Sequence, residues 1–269
     1  ARGAESPALA AEGQQLVGLA DWLTQRWNCL MWISATDFNT ARAVSLSPLG
    51  GFGGEAAQRF AHAHGITDEG MLDKLKRRTG YYTSMVPSVP TRYHRLMDGQ
   101  TLRIGAHEWR CHAGYGHAPE HMSLHAPSLG VLISGDMVLP RISTNVMVVD
   151  IEPEGNPLPL YLDSIARMKA LPADTLVLPS HGLPFKGLHI RVDQLLSHHD
   201  DRYAEVVQAC TERACTAAEV LPVLFKRELD LHQTTFALGE TIAHLHALWQ
   251  RGVLARHIDD QGVIRFRRA

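Results

Sequence analysis

Long apolar runs, paired cysteines and an excess of charge of either sign are all missing from this chain of 269 residues. No apolar stretch approaches the roughly 20 residues that a membrane-spanning helix needs, and no signal-peptide pattern opens the sequence. The four cysteines form no CxxC pair, which argues against a disulfide framework or a zinc knuckle and is typical of a reducing cytoplasm. A formal net charge of −2 gives no bulk attraction to nucleic acid or to an anionic membrane. We therefore expect a cytoplasmic protein without a membrane partner.

The composition is that of a globular protein. A hydrophobic fraction of 45% is enough to bury a substantial core, and the length favours one large domain and one small one. We place a mobile or altered lead at 1–15, the large domain at 16–213 and the small domain at 214–269. Sixteen histidines are many for this length and favour metal chemistry. The sequence leaves the oligomeric state open, a homo-oligomer included.

Hydrophobic periodicity predicts helices that alternate with short strands. Predicted helices cover 16–27, 36–44, most of 55–79, 158–171, 189–213, 217–225 and 234–251. Predicted strands cover 29–33, 102–104, 108–113, 122–125, 131–134 and 175–178. Strands and helices in this order, with metal-capable residues in the loops, predict an α/β layered sandwich.

Three segments each place a metal-capable side chain beside a glycine, close to an apolar, strand-like run. They read Gly-His-Ala-Pro-Glu-His at 116–121, Ser-Gly-Asp-Met at 134–137 and Pro-Ser-His-Gly at 179–182. Imidazole and carboxylate groups are zinc ligands, and ligands from separate elements can converge on one sheet edge. Taken singly, His117 could be a loop residue bonded to backbone, Asp136 an Asx turn and His181 a turn cap. Together the three segments predict a metal site.

Read in order, these segments resemble the later metal-binding motifs of the metallo-β-lactamase superfamily of hydrolases. The stretches that carry the resemblance are GYGHAPEHMSL, GVLISGDMVLPRIS and LPADTLVLPSHGLPF. The chain is most similar to the hydroxyacylglutathione-hydrolase-like and lactonase-like branch, which often has a small helical or winged-helix C-terminal domain. The resemblance implies an αββα sandwich, whose completeness at the N-terminus stays open, followed by a winged-helix-like domain.

The resemblance also implies roles for individual residues. His117 would bind the first of two zinc ions, Asp136 would bridge them and His181 would bind the second, although one ion held by all three is a weaker alternative. His121 would support the site by a hydrogen bond that orients a ligand. Arg141 is an alternative counter-ion for Asp136 should no metal be bound.

The first motif of the family is not found. A His-x-His-x-Asp-His cluster normally stands where this chain has Ala-Glu-Gly-Gln-Gln-Leu at 11–16. His62-Ala63-His64 has the His-x-His spacing, but we interpret it as a helix surface near a C-cap glycine. We therefore predict a degenerate or partial metal site. The expected reaction is metal-assisted hydrolysis of an ester, thioester, lactone or phosphoester by an activated water, and the alternative is a non-catalytic binding or assembly protein that retains the fold.

The C-terminal tail predicts two helices and a hairpin, in which Asp-Asp-Gln-Gly at 259–262 joins two short strands. This is a winged-helix pattern. Its last arginines, Arg265, Arg267 and Arg268, could contact phosphate, but no aromatic platform or long basic stripe accompanies them. We interpret them as a solvated edge, and expect a small-molecule substrate rather than nucleic acid.

Overall fold

A computed structural model describes residues 12–47 and 53–269, with side chains from residue 18 onward apart from Tyr81. The helices are α1 (Glu12–Trp27), α2 (Ala35–Leu46), α3 (Gly54–Ala63), α4 (Glu69–Arg77), α5 (Tyr81–Met85), α6 (Pro157–Arg167), α7 (Leu188–Ala209), α8 (Ala217–Leu224) and α9 (Leu231–Gln250). The strands are β1 (Met31–Ser34), β2 (Tyr93–Leu96), β3 (Thr101–Ile104), β4 (His107–Gly114), β5 (His121–Ala126), β6 (Val131–Gly135), β7 (Leu176–Pro179), β8 (Leu254–Ile258) and β9 (Ile264–Arg268).

The chain folds as two compact units, each made of three segments. The first unit contains the described residues up to 47, Thr79–Thr144 and Lys169–His189. The second contains the described residues from 53 to Arg78, Asn145–Met168 and Ile190–Ala269. The boundaries at 16 and 214 stay predictions, although residues 12–15, which we assigned to the lead, are the first turn of α1.

A five-stranded sheet in the first unit has the order β3-β4-β5-β6-β7. Neighbouring strands are antiparallel except for β6 and β7, which are parallel and pair Gly135 with Pro179 at their ends. Gly114 at the end of β4 pairs with His121 at the start of β5. Because of these directions, all three metal-capable segments leave the sheet at one edge.

A second, two-stranded sheet in this unit pairs β1 and β2 in parallel. The sequence did not predict β2, because a four-residue strand with two exposed members shows little periodicity. Helix α2 follows β1 directly and begins at a cap, where the backbone N–H of Asp37 donates to the Ser34 hydroxyl at 3.1 Å. The buried side chains behind this cap are Phe38, Ala41, Tyr82, Val86 and Val89. The cap therefore fixes the start of α2 on a packed core.

The second unit is mainly helical. Helices α8 and α9 both begin with capping boxes, formed by Thr216 with Glu219 and by Asp230 with Gln233. Strands β8 and β9 form an antiparallel hairpin that follows α9. No helix among the described residues combines the length and the apolar character that crossing a bilayer requires.

The interpretation of His62-Ala63-His64 as a helix surface is half wrong. His62 is exposed, but His64 lies just past the end of α3 and is buried. Its Nδ1 lies 2.8 Å from the carbonyl oxygen of Phe60, and its ring packs against the Phe60 ring at a tilt of 49° with centroids 4.4 Å apart. Gly65 has a φ of +95°, the left-handed conformation expected of a C-cap glycine, and this turn directs His64 inward.

Candidate metal centre

The carboxylate of Asp136 lies between two histidines. His117 Nε2 is 3.4 Å from Asp136 Oδ2, and His181 Nε2 is 3.3 Å from Asp136 Oδ1. All three side chains are largely buried, with His117 the most exposed at 27%. The structure thus brings together the three predicted ligands, with one imidazole beside each oxygen of the carboxylate.

Two hydroxyl groups hold Asp136 in this position. The Ser180 hydroxyl donates to Asp136 Oδ1, and the Thr144 hydroxyl donates to the backbone carbonyl of Asp136. Burial opposes ionisation of the carboxyl group, but the hydrogen bonds and charges of His117, Ser180 and His181 outweigh burial and lower its pKa to about 2. Asp136 is therefore ionised at neutral pH. The sequence analysis missed both hydroxyl groups, because their contacts depend on how the loops close.

His121 packs against the turn that presents Asp136. The backbone N–H of Asp136 points to His121 Nε2 at 3.4 Å. Burial and the charge of His117 lower the pKa of His121 to about 4, so Nε2 can accept that hydrogen bond. Gly135, with a φ of +53°, has no Cβ that would collide with this ring, since a Cβ there would lie 2.3 Å from Nε2. His121 thus contacts the backbone of a candidate ligand.

The loop that carries His117 is attached to the first turn of α2. Glu120 donates its backbone N–H to Asp37 Oδ1 at 2.9 Å and accepts the Thr36 hydroxyl at 2.9 Å. Burial raises the pKa of the Asp37 carboxyl group above its ordinary value. The sequence analysis missed these residues, although Ser34 and Asp37 are a recognisable helix start.

Arg141 is exposed, and no described residue forms an ion pair with it. The groups that compensate Asp136 are instead the two histidines and Ser180. Arg141 lies near the middle of the loop that runs from Asp136 to Thr144, whose ends are joined by the Thr144 hydrogen bond.

Imidazole and carboxylate donors suit zinc, but a zinc site normally has four ligands. Within 12–47 and 53–269, no group of three or more His, Cys, Asp or Glu side chains is arranged to hold a metal ion. The two histidines form two separate pairs with Asp136 rather than one triad. Of the segment 11–16, where the upstream motif normally stands, Ala11 lies outside the described residues, and the structure describes 12–16 only as helical backbone. The described residues therefore do not complete a metal site.

Two family models match the chain. Residues 49–181 match the metallo-beta-lactamase superfamily, and residues 203–269 match the metallo-beta-lactamase-like C-terminal domain. The crystal structure of a beta-lactamase domain protein from Burkholderia ambifaria is 49% identical, with a TM-score of 0.87 over 94% of this chain and 72% of that one. A metallo-beta-lactamase family protein from Thermus thermophilus is 25% identical, with a TM-score of 0.74 over 94% of this chain and 76% of that one.

The chain belongs to the metallo-β-lactamase superfamily. The predicted α/β fold of this family, with a helical C-terminal region, is confirmed. A curated relative, the probable metallo-hydrolase YqjP of Bacillus subtilis (strain 168), is 27% identical over 189 residues, which are 67% of this chain. The match spans only 56% of that relative. Hydrolase-family membership and the family's use of metal ions are therefore supported, and zinc itself stays a prediction.

Proposed function

We propose that this hydrolase-family chain carries part of a hydrolytic metal centre, formed by His117, Asp136 and His181. The substrate is an ester, thioester, lactone or phosphoester of a small molecule. Water adds to the acyl carbon or phosphorus, and the bond to the leaving oxygen or sulfur breaks, which gives an acid and an alcohol or thiol. The observation that carries the proposal is the ionised carboxylate with one imidazole at each oxygen.

A hydrolysis panel tests this proposal. The full chain is assayed on one substrate of each of the four classes, with added zinc or manganese and then with a chelator. We expect slow hydrolysis that needs metal and stops with chelator. Asp136→Asn lowers the rate about tenfold or more, the loss caused even by removing an outer partner of a metal. Asp174→Asn, at an exposed carboxylate in the same unit, keeps the wild-type rate. Turnover that resists chelator would contradict the proposal.

One observation favours a second candidate, a non-catalytic binding or assembly protein. Asp136 is already compensated by two histidines and a serine hydroxyl, so the site needs no metal to avoid an unpaired buried charge. Under this alternative His117→Ala and His181→Ala leave partner binding unchanged. The absence of hydrolysis in all four substrate classes, with metal present, would favour it.

We also propose a winged-helix-like role for the C-terminal region and membership of the hydroxyacylglutathione-hydrolase-like and lactonase-like branch. Support for the first comes from the order of α8, α9 and the β8–β9 hairpin. Arg265 is engaged by Asp259 at 2.8 Å and by Glu219 at 3.6 Å. An arginine that is already paired supports a solvated edge rather than a nucleic-acid surface.

A further inference from the structure

Two closed loops surround the candidate metal centre. The first runs from Asp136 to Thr144 and is closed by the hydrogen bond between those residues. The second runs from Val177 to Phe185 and is closed by two backbone hydrogen bonds of 2.8 and 3.0 Å between those residues. His181 lies near the middle of this second loop. Each loop therefore supplies a candidate ligand and is fixed at both ends.

The loops touch at their tips. A Cβ on Gly182, which has a φ of +85°, would lie 2.7 Å from Cγ of Pro140, so the backbone of Gly182 packs against the Pro140 ring as closely as a glycine permits. The bond from Ser180 to Asp136 joins the same loops a few residues away. Arg141 and Ile142 follow Pro140, and Leu183 follows Gly182. These three residues therefore lie beside the candidate ligands on two touching loops, and we call them the rim.

The exposed side chains that follow these contacts are two apolar residues and one cation. Leu183, next to Gly182, is 77% exposed, and Ile142, two residues beyond Pro140, is 50% exposed. Arg141 stands between Pro140 and Ile142 with an exposed guanidinium and no ion-pair partner among the described residues. Two exposed branched side chains and one exposed arginine on touching loops suit a ligand that is apolar along its length and anionic at one end.

We propose that the rim formed by Arg141, Ile142 and Leu183 binds the substrate through an aliphatic chain and an anionic group. The aliphatic chain covers Leu183 and Ile142, and the anion pairs with Arg141. The identification of this ligand as the substrate rests on the proposed hydrolytic function. The binding surface itself does not depend on turnover.

Calorimetric binding of octanoate, octanamide and acetate to the metal-free full chain tests the rim. Octanoate binds about tenfold more tightly than acetate, because burying a few methylene groups supplies that factor. It also binds more tightly than neutral octanamide. Leu183→Ser removes most of the advantage over acetate, and Arg141→Gln removes the advantage over octanamide.

Matched exposed positions in the same unit serve as controls. Leu129→Ser and Arg103→Gln replace an exposed leucine and an exposed arginine outside the two loops, and both keep the octanoate affinity of the wild type. Equal binding of octanoate and acetate, or equal losses in rim and control variants, overturns the proposal. Sedimentation that shows a dimer dissociated by Leu183→Ser also overturns it, since the rim would then be an interface between two copies.

The hydrolysis panel separates the two proposals. One outcome is that octanoate binding depends on the rim but no substrate is hydrolysed. This outcome would support the binding surface and contradict the hydrolytic function. A second outcome is equal turnover of short neutral and long anionic substrates, unchanged by Arg141→Gln and Leu183→Ser. This outcome would support the hydrolytic function and overturn the proposal that the rim binds the substrate.

Discussion

At the scale of single residues, the carboxylate of Asp136 organises the site. An ionised carboxylate in a mostly buried position needs compensation, and His117, His181 and Ser180 supply it from two loops. The backbone of Asp136 is held as well, by Thr144 on its carbonyl oxygen. A small shift of Asp136 would therefore change its distances to both histidines.

Gly135→Ala tests this dependence. The substitution places a Cβ 2.3 Å from His121 Nε2 at a residue with a φ of +53°. Gly130→Ala is the control, since Gly130 has a φ of +62° and nothing within 4 Å of a Cβ. Both variants carry the left-handed backbone cost of about 1–2 kcal/mol. We expect Gly135→Ala to lose about 1–3 kcal/mol more through overpacking, as measured by urea unfolding. Equal losses would show that the ring of His121 moves freely.

The sequence predicted the residues of the site better than their contacts. His117, Asp136 and His181 could be found because each has ligand chemistry and stands beside a glycine near the end of a strand. Ser180, Thr144 and Asp37 were missed, since a hydroxyl or carboxyl group shows its role only when two loops close on each other. The counter-ion role of Arg141 does not appear either, because its side chain is exposed and His117, His181 and Ser180 compensate Asp136 instead.

At the scale of elements, the parallel pair of β6 and β7 creates the site. Carboxyl ends of parallel strands meet at one sheet edge, which brings the residues after Gly135 and Pro179 together. The antiparallel β5 begins at this edge with His121. Strong runs such as β6 and β7 could be predicted from apolar residues alone, whereas β2 could not, because it takes its place from pairing with β1.

The second unit holds a pair of buried histidines between α7 and α9. His199 Nδ1 lies 3.2 Å from His244 Nε2, and His244 Nδ1 lies 2.8 Å from the carbonyl oxygen of Glu240. If His244 donates through Nδ1, its Nε2 must accept from His199. Burial lowers the pKa of His199 to about 3 and that of His244 to about 4. Both rings are therefore neutral in the folded protein near neutral pH.

These pKa shifts predict acid sensitivity. Between the ordinary histidine pKa of 6.5 and about 4, the unfolded chain binds protons that the buried rings do not. His64, with a pKa lowered by burial to about 4, adds to the effect. The free energy of unfolding therefore falls as the pH falls through this window. Burial raises the pKa of the Glu240 carboxyl group to about 7, which acts in the opposite direction and offsets part of the effect.

Urea unfolding between about pH 7 and about pH 4.5 measures this slope. His199→Gln, which keeps a donor for His244, reduces the slope by up to about 1.4 kcal/mol per pH unit, the value for one proton. His62→Gln, at an exposed histidine of the same unit, keeps the wild-type slope. A slope that is the same in all three proteins would show that the His199 and His244 pair does not control acid stability.

At the scale of the whole molecule, the fold is better determined than the reaction. Family membership follows from similarity along most of the chain, while the described residues supply fewer ligands than a closed metal site needs. A fold can persist when the chemistry of its site changes. The central claim is therefore that His117, Asp136 and His181 are the part of a metal centre that the described residues contain.

Calorimetric titration of chelator-treated protein with zinc tests that claim most directly. We predict that the wild type binds zinc weakly, at about micromolar dissociation constants or above, because protein ligands are missing. Asp136→Asn weakens that binding about tenfold or more, and Asp174→Asn leaves it unchanged. Identical titrations of all three proteins would place the metal elsewhere, or nowhere, and would contradict the account.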